Sequence, residues 1–209
     1  AALLADTGGD GGFPRPQDAA SDIVHVAARD AGGSKIDLFL ERTMDYRVQI
    51  DEDGALTAEL EIELTNNAPS EGLPFYLIGS IIKPQPPLGT NVLSTLVYSR
   101  HGNALVELDG KPVVPLVDYE GGLFVYQLQT DLAPGQTRTL KLTYTDQALG
   151  DLERVTFLPA GLVIPDAISI QVDDARNGAK LTDSFVLSRP ECRAARSKGS
   201  SCEVGSVNE

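Results

Sequence analysis

Two alternations in the sequence fix most of what this chain can become. Tyr46, Val48 and Ile50 alternate with Arg47, Gln49 and Asp51. After a turn at Asp51 to Gly54, Leu56, Ala58, Leu60, Ile62 and Leu64 alternate with Thr57, Glu59, Glu61, Glu63 and Thr65. A period of two sends each set to one face of an extended chain, whereas an amphipathic helix repeats its apolar positions every three or four residues. The segment predicts a β-hairpin with one buried and one wet face.

The same reading extends along the chain. Ile23 to Arg29, Leu73 to Ile78, Val92 to Ser99 and Ala104 to Leu108 read as strands, and Ile36 to Arg42 as a strand or a short helix. Asp109-Gly110 is a hairpin turn into Pro112 to Leu116. Leu123 to Thr130 and Thr137 to Tyr144 are expected to form another hairpin through Leu132-Ala133-Pro134-Gly135, with Leu140, Leu142 and Tyr144 facing in. Arg154 to Leu158, Ala167 to Asp173 and Ser184 to Ser188 complete the set. Pro84, Pro86 and Pro87 make residues 83 to 89 a connection or an edge, because proline cannot donate to a ladder. Short strands divided by Gly, Pro, Asn and Asp turns, without a convincing long helix, predict an all-β fold, an antiparallel immunoglobulin-like β-sandwich; a closed barrel is the alternative. The expected organisation is an irregular arm over residues 1–22, a sandwich domain over 23–188 and a polar tail over 189–209.

With 17 basic against 30 acidic residues the net charge is -13, which repels nucleic-acid backbones and anionic lipid. Nucleic acid is not an expected partner. No run of about 18 apolar residues is present, so no membrane span is expected in this sequence. The chain opens at Ala1 rather than Met and is expected to be a processed product or a fragment whose targeting or anchoring segments lie upstream. The two cysteines, Cys192 and Cys202, enclose the polar stretch Arg193 to Ser201. A disulfide is expected, stabilising by about 2 to 3 kcal/mol and implying an oxidising compartment; two reduced, exposed thiols are the other reading.

No catalytic constellation assembles on the sequence. Nucleophilic catalysis needs a nucleophile, a base and an orienting group. His25 lies in a strand-like run and reads as structural, while His101 lies in the turn Arg100 to Asn103 and reads as solvated. No serine sits in a Gly-x-Ser-x-Gly elbow. Glu59, Glu61 and Glu63 line one strand face and read as a solvated, edge-protecting surface. The calcium candidates are Asp51 and Asp53 in Asp51-Glu52-Asp53-Gly54, with Asp173 and Asp174; neither group completes a calcium loop, and both read as ordinary turns. Phe75, Phe124 and Tyr126 lie in apolar runs and read as core. Tyr119, between Asp118 and Glu120, is left as the candidate exposed contact.

From Gly32 to Tyr46 the chain resembles the C-terminal part of a bacterial cell-envelope family, domain of unknown function 4012. The resemblance continues through Leu64-Thr65-Asn66-Asn67-Ala68-Pro69, Gly72-Leu73-Pro74, Leu88-Gly89-Thr90-Asn91, Leu108-Asp109-Gly110, Glu120-Gly121-Gly122 and Leu132-Ala133-Pro134-Gly135-Gln136-Thr137, covering about residues 20–175. Family members usually show Gly-Asn-Lys where this chain has Gly33-Ser34-Lys35, and the family's membrane anchor and larger N-terminal region have no counterpart in this sequence. These motifs are turns and strand starts and specify no activity. The resemblance implies an exported, outward-facing module of something larger. The functional expectation is a cell-envelope structural or protein-interaction module without catalytic activity or cofactor of its own, binding another envelope protein or the rest of its own polypeptide. The alternative is a module that binds cell-wall glycan, or an accessory to a glycan enzyme whose catalytic region lies elsewhere.

Overall fold

The computed structural model describes residues 21–146, 152, 154–158, 163–187 and 191–194. The strands are β1 (Ser21–Asp30), β2 (Leu40–Ile50), β3 (Leu56–Asn66), β4 (Asn91–Ser99), β5 (Leu105–Leu108), β6 (Lys111–Val113) and β7 (Leu116–Glu120). They continue with β8 (Leu123–Leu132), β9 (Thr137–Asp146), β10 (Arg154–Leu158), β11 (Asp166–Asp174), β12 (Ala179–Leu187) and β13 (Glu191–Ala194). A 3-10 turn covers Ile36–Phe39, and a single α-helical turn, α1, covers Phe75–Ile78.

Two sheets pack face to face as a β-sandwich. The first runs β13-β10-β1-β4-β8-β7, the second β12-β11-β2-β3-β9-β5-β6. Neighbours are antiparallel except β1 with β10 and β2 with β11, which are parallel. The predicted β2–β3 hairpin forms with Ile50 opposite Leu56, and its buried residues alternate as the sequence requires. Tyr46, Val48, Leu60, Ile62, Leu140 and Leu142 meet Val24, Val26, Leu93, Val97 and Phe157 between the sheets. Burying each of these side chains is worth about 1.5 to 3 kcal/mol.

Several expectations are corrected. Leu123 to Thr130 and Thr137 to Tyr144 are not a hairpin: β8 pairs with β4 and β7, while β9 pairs with β3 and β5 in the opposite sheet. The crossover is held by buried Asn66, whose Nδ2 donates to Leu132 O at 2.9 Å and Gly89 O at 2.7 Å, while Gly135 N–H donates to Asn66 O. The run Pro112 to Leu116 likewise divides, because the chain leaves the second sheet after Val113 and joins the first at Leu116. Leu73 to Ile78 is not a strand: after Pro74 the chain turns helically, with Gly79 N–H donating to Phe75 O, and Phe75 is exposed rather than core. Glu59, Glu61 and Glu63 lie on a central strand, not an edge; Glu59 is paired with Arg47 and Lys141. At the far end, pairing continues past residue 188, where β13 adds to β10.

Three of the turn motifs converge here. Leu64 to Pro69, Leu88 to Asn91 and Leu132 to Thr137 all meet around Asn66, so what those motifs encode is the corner at which the chain changes sheets.

Candidate interaction interface

The two sheets are tied by buried charge. Arg42 on β2 gives a two-pronged ion pair to Asp166 on β11, Nε to Oδ1 at 2.8 Å and Nη2 to Oδ2 at 2.6 Å, and its Nη1 reaches across to Val26 O on β1 at 2.6 Å. A second tie centres on Asp22 of β1. Its Oδ2 accepts from the Tyr46 hydroxyl of β2 and lies 3.1 Å from His101 Nε2, and its Oδ1 accepts from Ile23 N–H at 2.7 Å. Burial disfavours the Asp22 carboxylate, but the charge and hydrogen bond of His101, the Tyr46 hydroxyl and the Ile23 amide outweigh it and hold the group below the usual carboxylate range. Burial, with Asp22 alongside, pushes the Tyr46 phenol well above its ordinary value. His101, read from the sequence as solvated, is 1% exposed. A histidine beside a carboxylate is a catalytic motif in form, yet this one lies inside the core, its ring centred 5.1 Å from that of Tyr144 and tilted 34° to it.

That network locks the loop after β4 and, with it, β8: the Tyr126 hydroxyl donates to His101 O at 2.8 Å and accepts from Ala104 N–H. On this rigid support hangs β7. Gly121 (φ 61°) and Gly122 (φ 89°) form a two-residue loop with Glu120 opposite Leu123, a hydrogen-bonded pair in such hairpins. Pairs alternate along an antiparallel ladder. Leu116, Asp118 and Glu120 therefore direct their main-chain groups at β8, and Val117 and Tyr119 direct theirs at the outer edge. The Tyr119 N–H is accordingly met by its neighbour's carboxylate, Asp118 Oδ1, at 2.7 Å.

β7 ends its sheet, and all five of its residues are exposed. Leu116 is 73%, Val117 56% and Tyr119 63% exposed, and Val114, just before the strand, is 95% exposed. Val117 and Tyr119 share the face of Tyr126 and Phe124, with the Tyr119 ring edge-on to Phe124 at 5.3 Å. Leu116, Asp118 and Glu120 share the opposite face, where Glu120 accepts from the Tyr98 hydroxyl at 3.2 Å. This is an open, apolar-and-acidic edge of a kind that folded proteins ordinarily cover or blunt.

Tyr119 is thus exposed as the sequence indicated, but Leu116 and Val117 were not legible as surface, because apolar side chains in a strand-like run read equally well as core. Tyr76 and Ile81 are also exposed. Asp51, Asp173 and Asp174 do come together around one open hollow, but each is engaged. Asp51 caps its own turn through Ala55 N–H, Asp173 pairs with Lys180 at 2.9 Å, and Asp174 pairs with Arg176 at 2.8 Å. The bond from Lys180 first, then that from Gln171, holds the Asp173 carboxyl low. Asp53 is exposed. Among the described residues no group of three or more His, Cys, Asp or Glu is arranged to hold a metal ion. Cys202 lies outside the described residues, and for Cys192 the backbone alone is described, opposite Thr156.

The fold is an all-β sandwich, and β7 is an exposed strand at the edge of its first sheet. No protein family matches the sequence, and no curated protein matches it. Among solved structures, a protein described as nutrient-binding from Legionella pneumophila is similar with a TM-score of 0.40 and 8% identity, over 70% of this chain and 55% of that one. An M1 zinc metallopeptidase from Deinococcus radiodurans is similar with a TM-score of 0.28 and 14% identity, over 72% and 40%. The chain therefore spans about half or less of these proteins' length. Likenesses this distant carry no argument about activity.

Proposed function

We propose that the protein is an exported interaction module of a bacterial cell envelope, without catalytic activity of its own, that binds another envelope protein or another part of its own polypeptide along β7. The observation that carries this reading is the exposure of Leu116, Val117 and Tyr119 on a strand whose outer edge is unpaired among the described residues. Burial of the His101–Asp22 pair away from any substrate supports a binding rather than a catalytic role. The export part of the proposal rests on the resemblance to domain of unknown function 4012 and on the expected Cys192–Cys202 disulfide.

The test is affinity capture from envelope extract with the native protein and with a Val117→Asp, Tyr119→Asp double variant, whose two sites are exposed. A stoichiometric protein captured by the native chain and lost by the variant, with the mass deficit of one disulfide in the unreduced bait, is the expected result. Equal capture by both overturns the β7 site, retention of wall glycan alone favours the carbohydrate reading, and free thiols in the native protein remove the disulfide's support for export.

A further inference from the structure

We infer that the occupant of the β7 edge is an extended, cationic segment of a partner protein in which basic and apolar residues alternate, and which adds to the first sheet as a further strand. The inference rests on the proposal that β7 is the binding site and specifies how it binds and what it binds.

Three observations combine. The main-chain groups of Val117 and Tyr119 face outward, so the edge offers two residues' worth of donors and acceptors at strand spacing. The Asp118 carboxylate occupies one of those donors, Tyr119 N–H; an incoming strand replaces that bond with a main-chain carbonyl and leaves Asp118 to find a new partner. The two faces of β7 also differ in chemistry. Val117 and Tyr119 present apolar surface on one, and on the other Asp118 and Glu120 present negative charge beside exposed Leu116. A strand laid alongside places its successive side chains on alternate faces, so apolar residues cover Val117 and Tyr119 while basic residues stand beside Asp118 and Glu120.

The same charges argue against a second copy of this chain as the occupant. An antiparallel β7–β7 pairing centred on Asp118 sets two aspartates opposite each other between molecules that each carry a net charge of -13. Like charges directly opposite destabilise a strand pair. A cationic strand gains from both the local pair and the overall field, and its binding weakens as salt screens them.

The experiment uses the full chain and three synthetic peptides of equal length: alternating lysine and valine, alternating glutamate and valine, and a lysine–valine block sequence of the same composition. Affinity is read by calorimetry, and site by amide hydrogen exchange. The alternating lysine peptide is expected to bind, to weaken with added salt, and to slow exchange at Val117 and Tyr119. Val117→Pro deletes an outward donor while sparing the bonds to β8, and is expected to weaken binding about fivefold to tenfold. Asp118→Lys with Glu120→Lys is expected to reverse the preference toward the glutamate peptide.

Equal binding of the block and alternating peptides, or binding that Val117→Pro leaves unchanged, overturns strand addition. Self-association of the free chain that blocks the peptide overturns the choice of occupant. If no peptide binds while the Val117→Asp, Tyr119→Asp variant still loses its envelope partner, the cationic-strand inference fails and the broader β7 proposal stands.

Discussion

At the scale of single residues, two groups contribute to the pH response of the fold. The folded state holds Asp22 below its usual value of 3.8, so the stability contributed by its ionised form is present above that value and is lost as pH falls through the lower, folded value. His25, which bonds Leu158 O through Nδ1, has its pKa lowered from 6.5, chiefly by burial. Its neutral form suits the fold, so the contribution is present above pH 6.5 and declines below it as the unfolded chain takes up the proton first. Urea midpoints between pH 7 and 3 are expected to fall in two stages, with His25→Gln flattening the upper stage and Asp22→Asn the lower. A slope that neither variant changes defeats this assignment. His101 shows how little a local sequence says about such groups. His101-Gly102-Asn103 has the composition of a solvated turn, and nothing near it points to Asp22, 79 residues away.

At the scale of elements, the corner around Asn66 shows why its turns carry the residues they do. Gly89 has φ +81°, and a β-carbon there would lie 2.5 Å from Pro69 O and 2.7 Å from Pro134 Cγ. Gly72 has nearly the same backbone, φ +83°, with nothing within 4 Å of the equivalent point. Both pay for an L side chain through the left-handed backbone, about 1 to 2 kcal/mol, but Gly89→Ala also forces Pro69 and Pro134 apart. Gly89→Ala is therefore expected to lower the thermal midpoint clearly more than Gly72→Ala; equal losses would mean that the corner yields without cost. The sequence showed that residues 132–135 turn. It did not show whether the turn closes a hairpin or changes sheets, because both use Pro and Gly and both join strands of the same alternation.

At the scale of the whole molecule, the Arg42–Asp166 pair joins β2 and β11 and reaches β1 in the facing sheet through Val26 O. Removing one partner leaves an uncompensated buried charge, so Arg42→Met or Asp166→Leu alone is expected to cost about 3 to 5 kcal/mol, and the double replacement much less than the sum. Denaturant unfolding of the three variants checks this; additive losses would mean that the two groups act independently.

By itself the sequence determined the secondary structure class and which side chains of the β2–β3 hairpin face inward, because side-chain alternation is a property of consecutive residues and survives any arrangement of the strands around it. It also placed Tyr119 at the surface, since two acidic neighbours are costly to bury. Only the tertiary structure decided which strands are neighbours, that Asp22 and His101 meet inside, and that Leu116 and Val117 stay uncovered. Those outcomes depend on what lies across the sheet from each residue, and an apolar side chain on an alternating strand carries no mark of whether another layer covers it.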